Sequence, residues 1–527
     1  MRMTNEIGRT PIQLIFMLAL ALSSGYATAQ SPGWGGHPAP ASEEAALPLM
    51  LAQTLATPAP RAVAVSRAGE VTPADGALLL RLARADRLLT TGLARLGSAV
   101  PPPSGKLTLS QAYQLALQND ATLRAARAAA AARFERVPQA RSQLLPQVSA
   151  TLSRFRNHLY STTPGSTGQA AVTDRYFSSS RNLIVRQALF NPARQADLRQ
   201  AYAQADESAA TLEREVQNLA VRVATGYLQV LSAKDQLTLV LAQFKAFTTQ
   251  LDAAQRRFEE GAGTRTDVDE AQARLDLSVA KELEARQAVD VAARQLQILV
   301  ASPIGELGTV DPGRLVLLPL EPASVDTWTA AAEERSPEIR AARAQIETAR
   351  QEYEKARAGH LPTVDAVAQW SISDSDNVTR INSRYDQKAV GIQVNVPIYS
   401  GGLTSSQARQ AVAELERARE SLEVVRRDLG LRVHREFRAV GEAILRIRAL
   451  EQAVRSTSTA VESARRSFQA GSRTLVDILN AEEQRSTAVR DLAESRYLYL
   501  LSQVRLRALT GEADAAFIDQ TSGWLVF

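Results

Sequence analysis

No cysteine occurs anywhere in the sequence, so disulfides, thiolate metal sites and a lipid-modified N-terminal cysteine are excluded. Histidine is nearly as scarce: His37, His158, His360 and His434 are scattered with no metal-ligand spacing. Neither a nucleophile motif nor a phosphate loop accompanies them, so an enzyme, the first alternative class, has no site to be built on. No metal and no cofactor is expected. A charge imbalance is missing too. The chain has 61 Lys and Arg against 56 Asp and Glu, interleaved along its length, which leaves no footprint for nucleic acid.

Long hydrophobic runs are absent except near the start. There Arg2 and Arg9 precede an apolar stretch over 12–22, followed by Ala27-Thr28-Ala29. This is the pattern of an export signal over 1–29, cut before Gln30. The stretch is shorter than the roughly 20 apolar residues of a membrane-spanning helix. No later segment is longer, so a mature chain seated in a membrane has to cross it as a β-barrel.

Aromatic residues make up only 5% of the chain, while hydrophobic residues reach 45% and Ala, Leu, Gln, Glu and Arg crowd its middle. Long helices and coiled coils use that mixture. Residues 30–106 are instead rich in Pro, Ala, Gly and Ser and read as a mostly disordered extension. Within it, 76–96 has the pattern of an amphipathic helix.

Beyond the extension the chain repeats itself. Residues 123–127 read Leu-Arg-Ala-Ala-Arg and residues 339–343 read Ile-Arg-Ala-Ala-Arg. Leu145-Pro146 is answered by Leu361-Pro362, and Arg257-Phe258-Glu-Glu-Gly261 by Ser467-Phe468-Gln-Ala-Gly471. Two copies of one unit follow, over 107–302 and 326–527, joined by a Pro- and Gly-broken segment at 303–325 that forms a small layer beside the helices. Each unit should carry a first helix (108–143 and 326–358), two strands and two long helices.

The strands, expected over 146–160, 177–190, 362–374 and 388–399, rest on period-two alternation. Val390, Ile392, Val394, Val396 and Ile398 share one parity, with Gly391, Gln393 and Asn395 on the other. A lipid-facing barrel with a wet interior alternates in this way, and so does a soluble sheet packed on helices. In the first unit Arg154, Arg156 and Arg181 break the stripe. Residues 161–176 and 375–387 have loop composition. Four strands cannot close a transmembrane barrel, but three chains would supply twelve. The long helices are expected over 193–260, 265–302, 403–470 and 473–510. The first and third have no internal proline. Val433, Phe437, Val440, Ile444, Ile447, Leu450, Val454, Thr457, Val461, Ala464 and Phe468 step by three and four and mark a coiled-coil seam. Antiparallel helical hairpins follow.

Taken in order and twice over, these segments resemble the TolC family of outer-membrane efflux and secretion channels, over about 107–527. The segments that carry it are Leu145-Pro146-Gln-Val, His360-Leu361-Pro362-Thr-Val and Val390-Gly-Ile-Gln-Val-Asn-Val-Pro-Ile-Tyr-Ser-Gly-Gly402. The turns at 257–267 and 471–477 complete the set. The resemblance implies a mainly α fold with a β-barrel portion: a homotrimer with a shared 12-stranded outer-membrane barrel above a periplasmic α-helical tunnel. It implies a passive exit duct working with a periplasmic adaptor (membrane fusion) protein and an inner-membrane ABC or proton-driven transporter. Its surroundings would be outer-membrane lipid. The missing lipidation cysteine and the C-terminal run from Glu512 to Phe527 favour type I protein secretion over small-molecule efflux. A periplasmic coiled-coil adaptor is the remaining alternative, and tandem hairpins, each behind a strand pair, argue against it.

At the hairpin turns, Gly261 and Gly471 suit left-handed helix ends. Thr264 or Thr266, and Ser472 or Thr474, suit N-caps, with Asp267 and Asp269 favoured by the helix dipole. By resemblance these turns form the periplasmic gate. Arg473 would be its basic member, Thr266 and Asp267 would be partners across the hairpins, and Asp477 would form a ring of three carboxylates. Two departures from the family stand out. Phe468 occupies a position that often holds tyrosine, and Asn480 replaces a second aspartate. One carboxylate ring and a less tightly latched mouth are expected.

Overall fold

The structure is a computed structural model, and it describes residues 106–165, 168–311, 313–375 and 383–526. The expected export signal, nearly all of the extension and the helix at 76–96 lie outside the described residues.

Each unit opens with short helices where a single one was expected. In the first unit these are α1 (Leu109–Asn119), α2 (Ala121–Phe134) and α3 (Arg136–Ser142). Asp120 caps α2 by accepting a bond from the Leu123 N–H at 2.8 Å, in an extended conformation that stops α1. Pro138 lacks an N–H and its ring clashes with the carbonyl four residues back, so the helix breaks at Glu135. In the second unit α6 (Val325–Arg335) is separated from α7 (Pro337–Ala358) because the residue before a proline avoids helical angles.

The strands follow as β2 (Gln147–Gly165), β3 (Gly168–Phe190), β6 (Thr363–Ser375) and β7 (Ser383–Asn395), antiparallel in the order β2-β3-β6-β7. Most of 161–176, expected as a loop, is ladder: Tyr160 pairs with Thr173 and Gly165 with Gly168. The register sorts the side chains into two faces. Ser149, Thr151, Ser153, Ser180, Asn182, Ser371, Ser373 and Gln387 share one, with Phe155, Tyr176, Ile184 and Tyr385 as larger members. Ser153 and Ser180 hydroxyls bond across it at 2.9 Å. The other face carries exposed Val148, Leu152, Leu183, Trp370, Val390, Ile392 and Val394. Arg154, Arg156 and Arg181 lie on the apolar face as expected: Arg181 stands between Leu152 and Ile372, and Arg154 and Arg156 continue toward the hairpin tip.

Four long helices build the rest: α4 (Pro192–Glu259), α5 (Arg265–Val300), α8 (Leu403–Gln469) and α9 (Leu475–Leu509). With 68 and 67 residues, α4 and α8 each extend about 100 Å at 1.5 Å per residue. Helix α4 starts on Pro192 behind the Asn191 cap, whose side chain accepts from the Arg194 N–H at 3.0 Å. Along α8, Val433, Val440, Ile444, Ile447, Val461 and Ala464 are buried, and α8 packs on both α9 and α7. Helix α4 likewise packs on α5 and α7, and α9 joins the hairpins. Among the described residues no helix is long and apolar enough to cross a membrane.

The main core lies where α1, α4, α5 and α9 meet, around Leu219, Tyr227, Leu231, Leu296, Tyr499 and Val504. Short strands clasp it. β1 (Lys106–Leu107) pairs in parallel with β4 (Glu306–Leu307), and β5 (Thr309–Val310) pairs with β8 (Leu525–Val526). The Tyr227 hydroxyl ties them by donating to Leu107 O at 2.9 Å and accepting from the Gly308 N–H at 3.0 Å. The terminal helix α10 (Ala515–Ser522) packs on α1.

Candidate functional site at the hairpin turns

Both helical hairpins reverse through the same chemistry. Gly261 takes φ +73° and Gly471 φ +74°, the left-handed conformation that spares an L side chain no clash. The N–H groups of Ala262 and Gly263 return to Arg257 O at 2.8 and 2.9 Å, and that of Ser472 to Ser467 O at 2.9 Å. Gly263 is held so close that a Cβ would stand 3.0 Å from the Phe258 nitrogen.

Of the alternative caps, Thr264 and Thr474 are used, while Thr266 is exposed and Ser472 bonds back to Ser467 O. The Thr264 hydroxyl accepts from the Asp267 N–H at 3.2 Å and donates to Asp267 Oδ2 at 2.7 Å; the Thr264 N–H reaches the same oxygen at 3.2 Å. Asp477 accepts from the Thr474 N–H at 3.0 Å and its hydroxyl at 2.9 Å. Those bonds, the backbone one first, together with the Arg473 charge, hold the Asp477 carboxyl below the usual carboxylate range. Each aspartate thus spends one oxygen, Oδ2, on its own helix start.

The two turns meet within the chain. The Arg257 guanidinium lies over the Phe468 ring, 4.3 Å from its centroid. Beside this pair a cleft of about 450 Å³ is lined by Asp267, Arg465, Leu475 and Ile478. Below it Phe247, Leu251, Ala254, Ala271, Leu475 and Leu479 form a small separate core. Arg473 is exposed and makes no bond to Thr266 or Asp267 of its own chain. Asn480 accepts from Arg274 at 3.3 Å, and Arg274 also pairs with Glu483 at 2.9 Å and Glu270 at 3.3 Å, joining α5 to α9. A buried Glu482 receives Arg465 across the second hairpin and Arg485 at 3.5 Å. Reading the sequence alone missed Arg257, Arg274 and Glu482. The one available signal was an arginine four residues before the turn glycine in the first unit.

Among the described residues no His, Asp and Glu side chains converge as a metal site. Residues 112–302 and 328–512 match the family described as outer membrane efflux protein. The alkaline protease secretion protein AprF of Pseudomonas aeruginosa is 35% identical over 415 residues, covering 78% of this chain and 86% of that protein. Outer membrane protein TolC of Escherichia coli is 32% identical over 413 residues, covering 76% and 82%. Among solved structures, the CmeC outer membrane channel of Campylobacter jejuni superposes with a TM-score of 0.68 over 82% of this chain and 95% of that one; its 15% identity speaks for the fold alone. The chain belongs to the outer membrane efflux protein family, the TolC family, and is an outer-membrane channel protein of mixed long-helix and β-strand fold.

Proposed function

We propose that three copies of the chain close a 12-stranded barrel and a helical tunnel, forming the passive exit duct of a three-part export machine. The four-stranded sheet carries this reading. Its outer strands β2 and β7 leave two open edges, and one of its faces exposes a stripe of large apolar side chains. Open edges are not tolerated in lipid, so the sheet has to be continued by other copies. A periplasmic adaptor and an inner-membrane transporter supply the energy that a passive duct lacks.

In this trimer the hairpin turns form the periplasmic gate. Arg473 of one chain faces Thr266 and Asp267 of the next, and three Asp477 carboxylates ring the narrowest point, where they attract cations. Exported protein is the cargo this reading favours, supported by the relatives named for protease secretion in Pseudomonas aeruginosa and Dickeya chrysanthemi. Small-molecule efflux is the second reading, favoured by the 25% identical efflux protein BepC of Brucella suis.

Single-channel recording of the purified protein in a planar bilayer tests the duct. Discrete cation-selective steps from an SDS-resistant trimer are expected. A folded helical protein that never inserts would refute the barrel. Deleting the gene separates the cargo readings, since loss of a secreted protein and loss of toxicant resistance are different phenotypes.

A further inference from the structure

The sheet face with the apolar stripe changes character along its length. Near the helices it presents Val148, Ala150, Val185, Ala368, Val390 and Ile392. Lys388, in one row with Ala150, Leu183 and Trp370, opens a basic stretch that continues toward the strand-connecting tips with Arg181, Arg154, Arg384, Arg156 and Arg175, all exposed. Only two carboxylates of the described residues share that end. Asp374 stands 3.7 Å from Arg384, and Asp386 accepts from the Trp370 indole N–H at 2.9 Å. Six positive charges against two negative leave an excess of four per chain. On the β2–β3 half, Arg156, Arg175 and Arg181 have no ion-pair partner among the described residues. Aromatic rings mark the transition. Arg154 lies 5.1 Å from the Phe177 centroid, and the Lys388 ammonium 5.8 Å from that of Trp370.

We propose that this belt binds the phosphate groups of an anionic lipid in the outer leaflet of the membrane. The inference rests on the barrel reading, in which the apolar face is turned to lipid and the Ser, Thr, Asn and Gln face lines the lumen. The helices join the strands at one end of the sheet, so the belt lies at the opposite, exterior end. Cationic side chains on a lipid-facing surface are costly at the bilayer midplane and nearly free at its interface. Their confinement to the tip-side part of the face marks that interface, where Trp and other aromatics also concentrate. A neutral, zwitterionic surface would not repay an excess of four positive charges per chain, whereas phosphates do. Guanidinium groups bind phosphate through paired N–H donors. Same-face neighbours along a strand stand about 7 Å apart, so Arg154 and Arg156, or Arg156 and the facing strand's Arg175, span a headgroup with more than one phosphate.

The test titrates the purified full-length trimer in detergent with diphosphorylated lipid A, with the dephosphorylated lipid and inorganic phosphate as separate arms. A basic residue near an anionic lipid surface contributes about five-fold in affinity. R156Q/R175Q/R181Q should therefore bind the phosphorylated lipid on the order of 100-fold more weakly, and R156K/R175K/R181K, which keeps the charge but loses the paired donors, should fall between that variant and wild type. The dephosphorylated lipid should bind wild type as weakly as the glutamine variant does, and inorganic phosphate should not compete. Equal binding by wild type and the glutamine variant overturns the belt, as does a lysine variant that binds no better than the glutamine variant. Each sample is also recorded in a planar bilayer. Conducting trimers with unchanged lipid binding overturn the belt alone, and failure to conduct overturns the barrel with it. A selectivity shift in the glutamine variant without a change in lipid binding would put these arginines in the lumen, against the proposal.

Discussion

Arg257, at the end of α4, stacks its guanidinium on Phe468, at the end of α8, so the first hairpin of the chain is fastened to the second beside the turns. The hydroxyl that a tyrosine would supply is absent, and the cation–ring contact stands in its place. Such contacts contribute about 0.5–2 kcal/mol.

Arg257→Gln should release this fastening with little effect on folding, because the hydrophobic contacts of Leu475 and Leu479 with Phe247 and Leu251 remain. If the turns are the gate, the open level becomes roughly 2–30 times more populated, the equivalent of that contact energy. Single-channel records of the two proteins under one voltage decide it. Identical open probability would show that the pair is structural only.

Asp477→Asn keeps an acceptor for Thr474 and removes the charge. With a ring of three carboxylates at the mouth, the variant should lose cation selectivity, and block by divalent cations should weaken about tenfold or more. The pH dependence has a definite sign. The folded carboxyl sits below the usual range, so it stays ionised as pH falls past the ordinary value of about 4. In a closed ring the two neighbouring carboxylates oppose that shift, so wild-type block should fade at higher pH than the ionisation of a single chain's Asp477. The stability this group contributes is present above the ordinary value and is lost as pH falls through the folded one. Reversal potentials and block curves from neutral to acid pH measure both, and a pH dependence of block that is the same in wild type and Asp477→Asn would count against Asp477.

The long helices were legible because nothing interrupts them. The stretch after Pro192 has no further proline, and glycines with positive φ stand just past the ends of α4 and α8. Strand parity was legible for the same local reason, but strand length was not. At 161–176, Ser, Thr, Gly and Asp read as loop, while hairpin pairing carries the ladder beyond the apolar level. Pro138 and Pro337 mark the helix breaks, yet a single helix was expected over 108–143 and over 326–358. Asp120 caps α2 through a local bond from the Leu123 N–H, whereas its second bond, from Arg222, comes from a distant helix and has no local signal. At the turns Thr264 and Thr266 are chemically equivalent in sequence, and backbone geometry selects Thr264. The pairing of Arg257 with Phe468 depends on how two hairpins pack, which no local pattern encodes.

Asp120 gives a stability prediction. Its buried Oδ2 accepts from the Leu123 N–H at 2.8 Å and from Arg222 Nη2 at 3.0 Å, with the Arg222 side chain one-third exposed. Asp120→Ala removes a helix cap and leaves the partly buried Arg222 guanidinium with Glu215, at 3.7 Å, as its remaining partner, at a cost of about 2 kcal/mol. Asp120→Asn keeps the cap and should cost about half as much. Denaturant unfolding of the three proteins orders them, and equal losses in both variants would assign the whole effect to the ion pair.

Tyr497 on α9 donates its hydroxyl to the Asp235 carboxylate on α4, bridging the two hairpins midway. Burial raises the Asp235 carboxyl above its ordinary range, and the bond from Tyr497 pulls it partly back. A carboxyl raised on folding contributes stability that is fully present below the ordinary value of about 4 and is lost as pH climbs through the folded value. Tyr497→Phe deletes the bond that favours the charged form, so the folded value rises further and the loss deepens. The cost should be smallest below the ordinary value, where the carboxyl is protonated, and should grow to about 1–2 kcal/mol as pH rises and the ionised carboxylate lacks its donor. Adding Asp235→Asn should flatten that pH dependence, because no titrating group remains at the bridge. Unfolding free energies of wild type, Y497F and Y497F/D235N at acid and neutral pH test this, and a Y497F cost that does not change with pH would mean the phenol acts only by packing.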